Sequence, residues 1–215
     1  MAQSRDGLVR ALLRTYGRTY AEEAGIRLVN RPGPLFELLV LTMLLSKRIS
    51  AGVAVAAARA LFETGYRTPQ SMMDASWQDR VDALGRGHYR RYDESTSRLL
   101  DQTARLCLDR WNGDLRRLRK EADGDRRRLQ ALLVEFPGIG PTGADIFVRE
   151  VQAVWPEYRP AIDSKVVAGA KAVHLSPESI EKLTSPAMLP NLTSALVRVS
   201  LARQLPDDIQ SQVEG

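Results

Sequence analysis

The 215-residue chain has one cysteine, two histidines and few aromatic residues (6%), and no long uninterrupted apolar run. Each shortage excludes something. A lone Cys107 cannot close an intramolecular disulfide or ligate an iron–sulfur cluster. It shares the apolar side of a helical pattern with Leu99, Leu100 and Leu108 and reads as a small buried hydrophobe. His88 and His174 have no metal-ligand spacing to carboxylates, so no catalytic metal is expected. The longest apolar stretch, Leu35 to Leu45, is interrupted by Glu37 and falls far short of the ~20 residues a bilayer requires. No apolar segment follows Met1-Ala2-Gln3-Ser4-Arg5-Asp6, so no secretory signal is read and a cytoplasmic protein is expected, nucleoid-associated if bacterial.

What is present is charge and helical periodicity. Lys and Arg total 31 against 26 Asp and Glu, a net charge of +5, and arginine far outnumbers lysine. That balance suits a polyanionic partner, and the planar guanidinium suits bidentate phosphate contacts. With 44% hydrophobic residues the chain can bury a substantial core. Apolar residues recur at period 3.6 in nearly every segment, which predicts an all-α fold. Leu8, Leu12 and Leu13 line a first helix that ends before Gly25. After the turn Asn30-Arg31-Pro32-Gly33-Pro34, residues Phe36 to Leu44 are apolar nearly all round, as in a central buried helix. A small-residue helix follows, then two short helices opened by Thr68-Pro69 and Ala75-Ser76 and a long one from about Tyr92 to Trp111. The arginine-rich stretch from Arg116 to Arg128 is either a solvated helix surface with a linker or a DNA-contacting patch. Helices are also expected over about 163–173, 177–183 and 189–204.

The most informative segment is Leu133-Val134-Glu135-Phe136-Pro137-Gly138-Ile139-Gly140-Pro141-Thr142-Gly143-Ala144-Asp145-Ile146. Gly138 and Gly140, one residue apart, let the backbone turn sharply and approach another chain closely. Pro141 suits the first position of a helix, where its missing N–H costs nothing. The free N–H groups of that helix, with its dipole, form an anion site. Leu133, Phe136, Ile139 and Ile146 would pack the two flanking helices together. Binding of a phosphate through Gly138, Ile139, Gly140, Thr142 and Gly143 would be largely independent of sequence.

Phe136-Pro137-Gly138-Ile139-Gly140, followed downstream by Ile162-Asp163, resembles the helix-hairpin-helix, glycine/proline-rich loop and aspartate of the endonuclease III superfamily of DNA glycosylases. Leu44-Leu45-Ser46 is similar to that family's leucine-leucine-serine loop, and Trp155-Pro156 to a dipeptide some members carry. The resemblance covers about residues 30–175. It implies two helical lobes flanking a DNA-binding cleft: a six-helix barrel lobe at about 30–155 and a second lobe from 1–29 and 156–215. It implies that Asp163 is the catalytic aspartate, stabilising positive charge on the deoxyribose and orienting a nucleophile, although the same residue is a plausible N-cap. Members with lyase activity carry a lysine where this chain has Thr142, which cannot form a Schiff base. A monofunctional glycosylase of base excision repair is therefore implied, with Lys165 and Lys47 as possible substitutes for the lysine. The four cluster-binding cysteines of many relatives are absent, so no iron–sulfur cluster is expected.

An extruded base leaves a gap to be filled. Arg48 occupies a family wedge position, with a phosphate contact or a plain surface arginine as the alternatives. Tyr89 or Tyr92 could stack on a base from a minor-groove loop, or pack in the core. Leu45, Ser46 and Thr142 are candidates for the pocket wall. The resemblance also implies a structural monovalent cation at the main-chain carbonyls of Val134, Phe136 and Ile139. Double-stranded DNA is the expected partner and no membrane is. A DNA-binding hairpin module with little or no catalysis remains the alternative to an enzyme.

Overall fold

The computed structural model of the chain describes residues 2–214, and among them every regular element is helical. The sequence opens as two elements: α1 (Ala2–Tyr16) and a single turn, α2 (Tyr20–Glu23). Continuous periodicity hid this break. Thr19 and Glu22 form a capping box, each side chain taking the other's backbone N–H, and this starts a new helix where one longer helix was expected. Next come α3 (Pro32–Leu45), α4 (Ala51–Glu63), α5 (Pro69–Asp74), α6 (Trp77–Arg86) and α7 (Asp93–Trp111). Prolines open α3 and α5 within their first turns, and the side chains of Ser50, Thr68 and Ser76 cap α4, α5 and α6. Asn112 ends α7 in the left-handed conformation.

The arginine-rich stretch divides into α8 (Leu115–Ala122) and α9 (Arg126–Val134), each capped by an aspartate, Asp114 and Asp125. Leu115, Leu118, Ala122 and Leu129 face inward while Arg127 and Arg128 stay in solvent. Then follow α10 (Pro141–Val151), α11 (Ser164–Ala172), α12 (Leu189–Leu201) and α13 (Asp207–Glu214), with 3-10 turns at Pro156–Tyr158, Pro177–Lys182 and Pro186–Met188.

Two separate apolar cores produce two lobes. The larger runs from Tyr20 to Ala161 and is centred on α3, whose residues Leu35 to Leu44 are buried on every side. The smaller joins α1 to α11, α12 and α13 through Leu8, Leu12, Val166, Leu192, Leu196 and Ile209, so both ends of the chain share it. Within it α11 and α12 pack backbone to backbone. A Cβ added at Gly169 would lie 1.8 Å from the Leu196 carbonyl oxygen.

Where α10 ends, buried polar side chains fasten it on two sides, Glu150 within the larger lobe and Gln152 across to the smaller. Glu150, 2% exposed, accepts from the N–H groups of Tyr20 (3.3 Å) and Ala21 (2.9 Å) and so pins α2 to α10. Gln152 donates to Thr193 Oγ1 on α12 (3.0 Å) and accepts from the Ala161 N–H (3.0 Å). Each satisfies groups that would be costly to bury alone. The segment leading to Asp163 is thereby held between the two cores, with Trp155 fully buried and bonded to Asn30 Oδ1 (3.0 Å). No helix among the described residues is long and apolar enough to cross a membrane.

Candidate active site

The hairpin connects α9 to α10. Leu133, Phe136, Ile139 and Ile146 are all buried, and the Phe136 ring lies 5.2 Å from that of Trp111. Gly138 adopts φ +86°, and a Cβ there would meet Leu99 Cδ1 at 3.0 Å, so a left-handed turn and a close contact both call for glycine. The Ile139 N–H closes the turn onto the Phe136 carbonyl at 3.0 Å. Gly140 caps α10 with no side-chain bond, and nothing lies within 4 Å of where its Cβ would be. The start of α10 is exposed at Pro141 and Thr142. Gly143 serves another purpose: an added Cβ would sit 2.5 Å from Ser46 Oγ, so this glycine lets the α3–α4 loop approach the hairpin.

Beside the hairpin lies a pocket of about 270 Å³, walled by α10, the α3–α4 loop, the start of α11, α12 and Tyr20. Leu45 and Thr142 line it. Ser46 is not among the lining residues: its hydroxyl donates to the Thr42 carbonyl (2.7 Å), back along its own helix. Ile49, Ala51, Ile146, Val197 and Leu201 supply further apolar wall.

Asp163 is at the pocket and nearly inaccessible, its side chain 3% exposed. One carboxylate oxygen caps α11, accepting from the N–H groups of Lys165 (2.8 Å) and Val166 (3.0 Å). The other accepts from the guanidinium of Arg149, itself 4% exposed. Capping and ion pairing together lock the carboxylate's orientation. Asp145, one turn before Arg149 on the same face of α10, lines the pocket as well. Burial and the negative charge of Asp163 raise its pKa above the usual carboxylate value, against opposing pulls from Arg126, Arg149 and a bond from Gln130.

Solved structures in complex with DNA share this architecture. A trapped endonuclease III–DNA covalent intermediate, an estranged-adenine complex, superposes with a TM-score of 0.51 at 20% identity, covering 80% of this chain and 78% of the other. A non-covalent endonuclease III–DNA complex gives 0.53 at 18% identity over the same shares. The chain has an endonuclease III-like fold. No protein-family model and no curated protein matches the sequence.

On this endonuclease III-like scaffold the expected residues are placed unevenly. Asp163, Thr142 and Leu45 come together at the pocket, and Lys165 joins them at its rim. Arg48 stands exposed on the α3–α4 loop next to the pocket residue Ile49. Tyr89 corrects an expectation. Its ring is completely buried and its hydroxyl accepts from Thr96 Oγ1 (3.4 Å), so it has no face on which a base could stack. Tyr92 is half-buried beneath the Arg91 guanidinium. Sequence reasoning missed Tyr20, Asp145 and Arg149. The last two carry a legible signal, since Asp145 and Arg149 are opposite charges four apart on one face of a largely apolar, core-facing helix. Tyr20 reaches the pocket from the chain's other end, which no local pattern reveals. Among the described residues no group of three or more His, Cys, Asp or Glu is placed to hold a metal.

Proposed function

We propose that the protein is a DNA glycosylase that hydrolyses the N-glycosidic bond of a damaged or mismatched base in duplex DNA. The observation that carries this reading is the clamped Asp163 carboxylate in the wall of a base-sized pocket beside the hairpin. The N–H groups at the start of α10 bind a backbone phosphate through Gly140, Thr142 and Gly143, and Gly138 and Ile139 shape the turn that presents them. Chemistry on a stacked base requires its extrusion, and Arg48, exposed on the α3–α4 loop, fills the gap in this reading. In the pocket, the Asp163 carboxylate stabilises positive charge developing on the sugar and orients the attacking water. Thr142 offers no amine for a Schiff base, so the product is an intact abasic site. The neutral carbonyl oxygens of Val134, Phe136 and Ile139 suit a monovalent cation that would brace the loop. The Phe136 oxygen is shared with the Ile139 N–H.

One observation favours a second reading, a binding module with little chemistry: both oxygens of Asp163 are already engaged by protein donors. Base release from duplexes carrying single lesions, with and without hot alkali, decides between them. Strand breaks that require alkali and vanish in Asp163→Asn, with DNA binding retained, are expected; the loss should reach about 10²-fold or more. Breaks without alkali would transfer the lyase role to Lys165 or Lys47. No release from any lesion, with binding intact, would establish the module.

A further inference from the structure

The hydrolytic reading leaves two polar groups of the pocket without a task. Asp163 is engaged at both oxygens, by two backbone N–H donors and by Arg149. Asp145 is not: Gln130 Nε2 donates to one oxygen at 2.6 Å, and no donor among the described residues reaches the other. Burial, and after it the negative charge of Asp163, weigh against the ionised form of this half-buried carboxylate. Its missing complement is N–H donors from a ligand. The second group is the Nε–H of Arg149, buried and without a hydrogen-bond partner among the described residues, although Arg149 lines the same pocket. An orphaned buried donor is costly, and its complement is an acceptor on a ligand.

We propose that Asp145 and Arg149 read the extruded base, selecting a guanine-type edge of two adjacent N–H donors followed by a carbonyl. The proposal rests on the glycosylase reading. Asp145 accepts from the ring N–H and the exocyclic amino group, and Arg149 donates to the neighbouring carbonyl oxygen. Uracil and thymine flank their single ring N–H with carbonyls on both sides. Adenine and cytosine place an acceptor nitrogen where the ring donor is needed. Each sets a lone pair against the Asp145 carboxylate. The two side chains, four apart on α10, lie on one helix face with Thr142 and Ile146, so a single rigid element carries the reader.

The test measures single-turnover base release by wild type and Asp145→Asn from duplexes carrying an oxidised or alkylated guanine, hypoxanthine, uracil or a thymine mismatch. Hypoxanthine lacks only the exocyclic amino group. Binding to a duplex with a stable abasic-site analogue reports docking separately. Wild type is expected to prefer a guanine-type lesion over hypoxanthine and the pyrimidines by about 10²-fold or more, as sites built to pair a polar edge do. Asp145→Asn is expected to lose that preference while still binding the abasic duplex. Equal or faster release of pyrimidines by wild type, or an unchanged ranking in Asp145→Asn, overturns the inference and leaves the glycosylase standing. No release of any base by wild type removes the glycosylase reading and the inference with it. If Asp145→Asn does not fold, the wild-type ratio of guanine-type lesion to hypoxanthine decides alone.

Discussion

Asp145 and Asp163 are near neighbours with opposite circumstances. Asp163 has two backbone donors and a buried guanidinium, whereas Asp145 has one amide and an adverse charge nearby. The difference has a measurable consequence. The folded-state pKa of Asp145 lies above its unfolded value, so the ionised carboxylate is less stable in the fold than in the open chain. At neutral pH, above both values, this lowers stability, and the deficit disappears as pH falls through the raised pKa toward the ordinary carboxylate range. Asp145→Asn keeps an acceptor for Gln130 and removes the charge. Its thermal midpoint should exceed that of wild type at pH 7, and the gain should fade on acidification toward pH 4. A variant no more stable at pH 7 would contradict the assigned imbalance. Trading stability for a poised group is common at functional sites. Cys107 is the opposite kind of residue: burial pushes its thiol up to about 12, and it serves the core alone.

The hairpin glycines separate binding from folding at the scale of the element. Gly138→Asp forces a side chain into the left-handed region and against Leu99, and should cost about 1–2 kcal/mol of stability as well as DNA affinity. Gly140 has an extended backbone and open space around it, so Gly140→Asp should leave the melting temperature nearly unchanged. It should still weaken DNA binding by placing a carboxylate beside the phosphate. Equal affinity for wild type and Gly140→Asp in a titration would remove the hairpin from the interface. The second lobe depends on a different glycine. Gly169→Ala drives a methyl group into the Leu196 carbonyl and should destabilise by about 1–3 kcal/mol, read as an earlier denaturant midpoint. The midpoint should move without loss of the hairpin's own contacts, because Gly169 lies against Leu196 of the smaller core.

The molecule as a whole carries a net charge of +5, so under the proposed function its contact with DNA should be largely electrostatic. Affinity for undamaged duplex should fall at least about 10-fold between 50 and 200 mM salt, consistent with several neutralised phosphates. A flat salt dependence would argue against DNA as the partner. The two cores explain how such contact could serve catalysis. One lobe supplies the hairpin and the other closes the pocket with Val197 and Leu201, while Gln152 bonds across to α12 and Glu150 holds Tyr20 against α10.

Helical character, the hairpin and the capping position of Asp163 were legible in the sequence, because each depends on interactions a few residues apart. Period-3.6 hydrophobicity marks helices, Pro-Gly-Ile-Gly marks a turn, and Asp163 before Ser164-Lys165-Val166 marks a cap. The division of the first helical segment was missed even though Thr19 and Glu22 encode it locally, because the apolar period continues across the break. The tertiary structure alone decided which side chains meet. Arg149 pairs with Asp163 only because α10 packs beside the start of α11, and Tyr20 reaches the pocket only because Glu150 fastens α2 to α10. The same packing buried Tyr89, an aromatic whose composition suits a stacking surface and the core equally well. A sequence pattern specifies that a residue is apolar or charged and which way its helix turns. Which distant group lies opposite depends on how two cores close against each other, and that sets the chemistry of the pocket.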